Sequence, residues 1–153
     1  SRGLGDVYKR QVVDILKKTK FPPEYLCIEL TERCKNMDIA FLKNELEYFR
    51  KLGIKIAIDD FGTGNATLNL LTELPIDELK VDMSFVRGIQ ESKPNQVLVQ
   101  AVVSCAHQLG YKSCIEGVED KALFDYLHRY GSTYYQGYHF SRPVWLEGFK
   151  KLL

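Results

Sequence analysis

The chain has 153 residues, 45% hydrophobic and 27% charged, which are globular values with length enough for one domain and a core. With 21 basic and 20 acidic residues the formal net charge is +1, so no global field draws DNA, RNA or an anionic membrane, and an anionic ligand must be held locally. The longest apolar run, Val97 to Ala106, is too short to span a bilayer, no secretory leader is visible, and Cys27, Cys34, Cys105 and Cys114 show no C-x-x-C spacing, which suits free buried thiols in a reducing cytoplasm.

Residues 1–11 read as a separate, non-native or disordered lead: Gly5-Asp6-Val7-Tyr8-Lys9-Arg10-Gln11 resembles the translation of a transposase adapter, and such scars do not enter a fold. On that reading residues 12–153 form a domain that starts part-way through its natural sequence. From Val12 to Lys20, Val12, Ile15 and Leu16 mark a short helix stopped by Phe21-Pro22-Pro23. A first strand, Tyr25 to Ile28, runs into Glu29-Leu30-Thr31-Glu32. Asp38 then caps a helix whose stripe is Ile39, Leu42, Leu46, Phe49 and Leu52, with Gly53 just beyond its end. The second strand, from Ile54 to Ile58, delivers Asp59-Asp60-Phe61-Gly62-Thr63-Gly64, two adjacent acids followed by a loop whose glycines permit a tight turn.

Ala66 to Thr72 reads as a short helix and Glu78 to Asp82 as the third strand. Pro94 opens a helix striped by Leu98, Ala101, Val102, Cys105 and Leu109 and closed by Gly110. The fourth strand, Tyr111 to Ile115, leads to Glu116-Gly117-Val118-Glu119, and a helix from Asp120 to Tyr130 follows. A last strand, Thr133 to Tyr135, delivers Gln136-Gly137-Tyr138 before a short terminal helix. This βαβαβαβαβ order demands parallel strands joined by right-handed crossovers.

Parallel strands gather their C-terminal ends at one mouth, where α/β proteins bind ligands. Glu29, Asp59, Asp60, Asp82 and Glu116 all fall at successive strand ends. Their mutual repulsion is relieved most simply by Mg²⁺ or Mn²⁺ held on oxygen ligands, and two such ions roughly 3.5–4 Å apart would activate water against a phosphate ester. The competing reading of the Asp59-Asp60 stretch is a solvated turn. Lys80, two residues before Asp82, shares its face, and inside a crevice it would take the acids as partners and polarise an attacking water; the competing reading is a lysine snorkelling from an edge strand. His107, His128 and His139 lack metal-ligand spacing, and Trp145, Tyr134 and Tyr135 read as core.

Five blocks, Glu29-Leu30-Thr31-Glu32, Asp59-Asp60-Phe61-Gly62-Thr63-Gly64, Lys80-Val81-Asp82, Glu116-Gly117-Val118-Glu119 and Gln136-Gly137-Tyr138, closely resemble in order and spacing the signatures of EAL-domain cyclic di-GMP phosphodiesterases, over nearly all of residues 12–153. The resemblance implies a parallel TIM-like (β/α) barrel that hydrolyses cyclic di-GMP to linear pGpG with two Mg²⁺ or Mn²⁺ ions in bacterial second-messenger signalling, working as a cytoplasmic homodimer. It implies Glu29 as a metal ligand, Asp59 as the bridge between metals, and Asp60 and Glu116 at the second metal. Lys80 would contact the attacking water, and Gln136, Asp82 and Tyr138 would lie by the substrate. Glu32, Gly62, Thr63 and Gly64 would shape the loop after Asp60, and Glu119 would support Glu116. The family's Glu-Ala-Leu motif and a following Asn are absent from this chain, and Asn65-Ala66-Thr67 replace an aromatic-Ser-Ser. Against a full barrel of about 250 residues the chain therefore corresponds to the later six-eighths, with the first strands missing and an open edge. Three further readings are a receptor that binds the dinucleotide without cleaving it, a fragment that acts only by docking on a partner, and an enolase-type proton abstractor.

Overall fold

The computed structural model describes residues 2–31, 38–63 and 68–152. Glu32 and Gly64, together with Cys34 and Asn65 to Thr67, lie outside the described residues. Five strands, β1 (Cys27–Leu30), β2 (Lys55–Phe61), β3 (Glu78–Val81), β4 (Lys112–Ile115) and β5 (Tyr134–Tyr135), form one sheet in the order β1-β2-β3-β4-β5, every pairing parallel. These five strands, all parallel, are those of the expected βαβαβαβαβ order. Among the described residues seven α-helices connect and flank them: α1 (Arg2–Thr19), α2 (Ile39–Lys51), α3 (Leu68–Glu73), α4 (Met83–Val86), α5 (Lys93–Gln108), α6 (Lys121–Leu127) and α7 (Leu146–Phe149).

Local chemistry accounts for most boundaries. Asp38 caps α2 by accepting hydrogen bonds from the amides of Ala40 and Phe41 at 2.9 and 3.4 Å. Ser92 caps α5 and Asp120 caps α6 in the same way. Gly53 and Gly110 follow their helices at φ of +92° and +77°, the left-handed conformation that ends a helix. The first strand starts two residues later than expected, because Pro23 at the first helical position turns Pro23–Tyr25 into a single 3₁₀ turn. The helix expected from Val12 begins at Arg2.

In each strand alternate residues face the helices. Ile56 and Ile58 of β2 and Leu79 of β3 pack with Leu42 and Leu46 of α2, and Val81 and Ile115 pack with Val99 and Val103 of α5. The opposite face carries Ala57, Lys80 and Cys114, small or polar side chains that are themselves buried. Core expectations for Trp145 and Tyr134 are corrected: they are exposed, at the far end of the chain and at the edge strand. Cys27, expected buried, is exposed on edge strand β1, whereas Cys114 is buried. No helix among the described residues is long and apolar enough to cross a membrane.

Candidate active site

Lys80 is the centre of the site. It stands on β3, the middle strand rather than an edge, and its side chain is 7% exposed, which excludes snorkelling. Its Nζ lies 2.8 Å from Glu29 Oε1, 3.1 Å from Asp59 Oδ1 and 2.8 Å from Glu116 Oε1, carboxylates delivered by β1, β2 and the end of β4. Burial alone would lower the affinity of this amine for its proton, but its three carboxylate partners, Glu116, Glu29 and Asp59, outweigh it and raise the pKa well above the ordinary lysine range. Lys80 is therefore a fixed cation at any physiological pH.

Asp59 and Asp60 are adjacent in β2 and in a regular strand would point to opposite faces. They do not, because the register of β2 on β3 shifts between Ile58 and Phe61 and Asp60 adopts φ +52°, a left-handed backbone rare for a residue with a side chain. The bulge brings ligand oxygens of Asp59, Asp60 and Glu116 within 4.8 Å of one another. Burial pushes the Asp60 carboxyl above the usual range, with the charges of Asp59, Asp82 and Glu116 and a hydrogen bond to Asp82 adding to the shift. Thr63 closes the turn beneath Asp60, donating from its hydroxyl at 2.9 Å and its amide at 3.2 Å to the Asp60 carbonyl. Gly62, at φ +99°, lets the loop pass the ring of Phe85, which a Cβ would approach to 3.1 Å.

Asp82, expected to share the face of Lys80, is not among its ion-pair partners. It caps α4 by accepting from Ser84 N at 2.9 Å. Burial would raise its pKa, but hydrogen bonds from Ser84, Asp60 and the Met83 amide hold it below the usual carboxylate range. Gln136 is exposed just past β5, its backbone tied to Ile115 and Val118. Tyr138 is half exposed beside it, with the Arg142 guanidinium 4.5 Å from its ring centre. Glu119 is exposed and makes no hydrogen bond or ion pair among the described residues. The α4 turn escaped sequence reading because four residues carry no helical period; the Asp82-x-Ser84 spacing of a cap was its one signal.

The donor set suits a divalent cation. Asp59 Oδ1 is buried without a hydrogen bond, since Lys80 approaches it at 3.1 Å in ion-pair but not hydrogen-bond geometry. A buried lone pair without a donor, beside two further carboxylates, is a position that an oxygen-liganded ion such as Mg²⁺ or Mn²⁺ fits, and Asp59, Asp60 and Glu116 are the residues that would hold it.

A parallel α/β sheet whose C-terminal mouth gathers carboxylates around one buried lysine defines the class: a barrel-type α/β protein with an acidic site at the strand ends. The model of the EAL domain family matches residues 5–143, and the chain belongs to that family. It is 38% identical over 129 residues to the cyclic di-GMP phosphodiesterase NbdA of Pseudomonas aeruginosa, covering 84% of this chain and 16% of that protein. It is 34% identical over 130 residues to the cyclic di-GMP phosphodiesterase PdeR of Escherichia coli, covering 85% and 20%. The crystal structure of the EAL domain of Mycobacterium smegmatis DcpA superposes with a TM-score of 0.88 at 35% identity, covering 94% of this chain and 65% of that one. This likeness supports the truncated TIM-like reading of the fold. The chain spans under a quarter of the length of the curated relatives it matches.

Proposed function

We propose that this chain supplies the carboxylate–lysine half of an EAL-domain phosphodiesterase that hydrolyses cyclic di-GMP to linear pGpG, with two Mg²⁺ or Mn²⁺ ions, in a cytoplasmic homodimer. One observation carries the reading: Lys80 is clamped by Glu29, Asp59 and Glu116 where ligand oxygens of Asp59, Asp60 and Glu116 come within 4.8 Å of one another. Family membership and relatives named as cyclic di-GMP phosphodiesterases support it. So does a solved relative, the MucR phosphodiesterase in complex with cyclic di-GMP, at a TM-score of 0.83 and 33% identity over 90% of this chain and 56% of that one.

When bound, the ions supply Lewis-acid activation of water and charge stabilisation at phosphorus. Asp59, Asp60 and Glu116, with Glu29 beside them, are the residues that would hold the ions. Lys80, fully charged and fixed by three carboxylates, orients the water oxygen and stabilises charge on the non-bridging phosphate oxygens. The water gives up a proton as its oxygen bonds to phosphorus, the P–O3′ bond breaks, and the released 3′ oxygen takes up a proton, leaving a 5′ phosphate on the linear product. Asp82 stays fixed beside Asp60 by capping α4 through the Ser84 amide. Gln136 and Tyr138 flank the dinucleotide.

The test is hydrolysis of cyclic di-GMP by the protein carrying this chain, with and without Mn²⁺, the linear product separated by chromatography. Metal-dependent product is expected, and Asp59→Asn is expected to lower turnover by at least about a hundredfold, in the range for loss of a group that holds the reacting charge. Metal-dependent binding without turnover would replace the enzyme with a receptor.

A further inference from the structure

Val118 is the residue on which the loops after β4 and β5 meet. Its amide donates to the Gln136 carbonyl at 3.1 Å, its carbonyl accepts from the His139 amide at 2.9 Å, and the Gln136 amide donates to Ile115 at 2.9 Å. Gly137 lies between these bonds. A Cβ there would stand 2.6 Å from the Val118 carbonyl carbon and overlap its nitrogen and oxygen, all backbone atoms that no rotamer change can move. The neighbouring Gly117, at φ +73°, meets α4 as closely: a Cβ would come 2.6 Å from Met83 Cβ. Glu116 is thus held from both sides, by its own amide on Val81 O at 3.1 Å and by the Val118 backbone clamped against Gly137.

We infer that Gly137 is a positioning residue for the cation site: its missing side chain lets the β5 loop close on Val118 and fix Glu116 opposite Asp59 and Asp60. The inference rests on the assignment of those carboxylates to a metal ion under the proposed function. A clamp at this distance acts as an outer shell around a ligand, and loss of such support typically costs about 10–100-fold in metal affinity.

The experiment measures Mn²⁺ affinity by titration calorimetry, with thermal melting to establish that each variant folds. Gly137→Ala is expected to weaken Mn²⁺ binding at least about tenfold. Gly131→Ala is the control: at φ +67° it strains the backbone as a Cβ would anywhere in that region, but nothing lies within 4 Å, and its Mn²⁺ affinity is expected to stay within about twofold of the parent even where melting falls. Folded Gly137→Ala with parental affinity would overturn the inference and leave the phosphodiesterase reading standing. Should Gly137→Ala fail to fold, site-resolved hydrogen exchange of the parent decides: saturating Mn²⁺ is expected to slow the Val118 and His139 amides, and unchanged exchange would overturn the clamp. A parent chain that binds no Mn²⁺ overturns the proposed function and this inference together.

Discussion

Lys80 is a single side chain answering several charges. Five carboxylates, those of Glu29, Asp59, Asp60, Asp82 and Glu116, crowd the mouth, and Lys80 pairs with three of them, Glu29, Asp59 and Glu116. Removing one partner of a buried ion pair costs ~3–5 kcal/mol because the remaining charge is stranded. Here Glu29 is 46% exposed while Asp59 and Glu116 are 20% and 16% exposed, so water can rescue part of the loss. Lys80→Met is therefore expected to lower stability without metal by about 2–3 kcal/mol at pH 7, measured by urea denaturation. The sign of the pH dependence follows from the raised pKa. The folded state holds the lysine proton more tightly than the unfolded state, so the contribution is full below the ordinary pKa of 10.5 and is lost as pH rises beyond it. The stability gap between parent and Lys80→Met should narrow above pH 10.5, and a gap that is constant or widens would refute the ion-pair account.

At the scale of elements, β3 joins site to core. Its residues alternate between the two faces: Leu79, fully buried, packs on α2 and α3, while Lys80 turns to the mouth. Leu79→Ala removes a side chain from the middle strand where neighbours on both sides are fixed, and a loss of ~2–5 kcal/mol is expected. Thermal melting should register a fall of roughly 2–4 °C for each of those kcal/mol in a chain of this size; a change under about 1 kcal/mol would mean that the cluster collapses into the gap. Much of this arrangement was legible beforehand. The stripe of Ile39, Leu42 and Leu46, the cap at Asp38 and the acids at strand ends all follow from period and chemistry. The bulge that lets Asp59 and Asp60 serve one site was not, because strict alternation separates neighbours and the register shift that reunites them depends on tertiary pairing with β3. Nor was the shift of β1, where the proline turn at Pro23 overrides the β propensity of Tyr25. The turn of Asp82 onto α4 was also hidden, since a four-residue helix is held by its cap and by burial of Val86.

At the scale of the whole molecule, both ends of the sheet expose apolar surface. Beside β1, Val12, Ile15, Leu16, Thr19, Phe21 and Leu26 line a groove of about 410 Å³, with Ile15 60% and Phe21 45% exposed. Beyond β5, Trp145 is 91%, Leu146 66% and Phe149 50% exposed. Strands β1 and β5 each pair on one side only among the described residues, so unpaired backbone lies alongside these patches. Open strand edges next to contiguous apolar surface favour association with another chain. The isolated chain is therefore expected to self-associate, its mass in sedimentation experiments rising above the monomer value between about 1 and 100 µM, a range set by the micromolar affinity of modest interfaces. Because apolar contact drives this, moderate salt should leave it unchanged or strengthen it, whereas charge pairing would weaken with screening. Trp145→Ser combined with Phe149→Ser removes apolar area at the β5 end without touching the carboxylate cluster, and should shift the equilibrium toward monomer while Mn²⁺ affinity holds. A monomer at every concentration would show that neither edge is adhesive, and association unaffected by the double substitution would move the contact to the β1 groove.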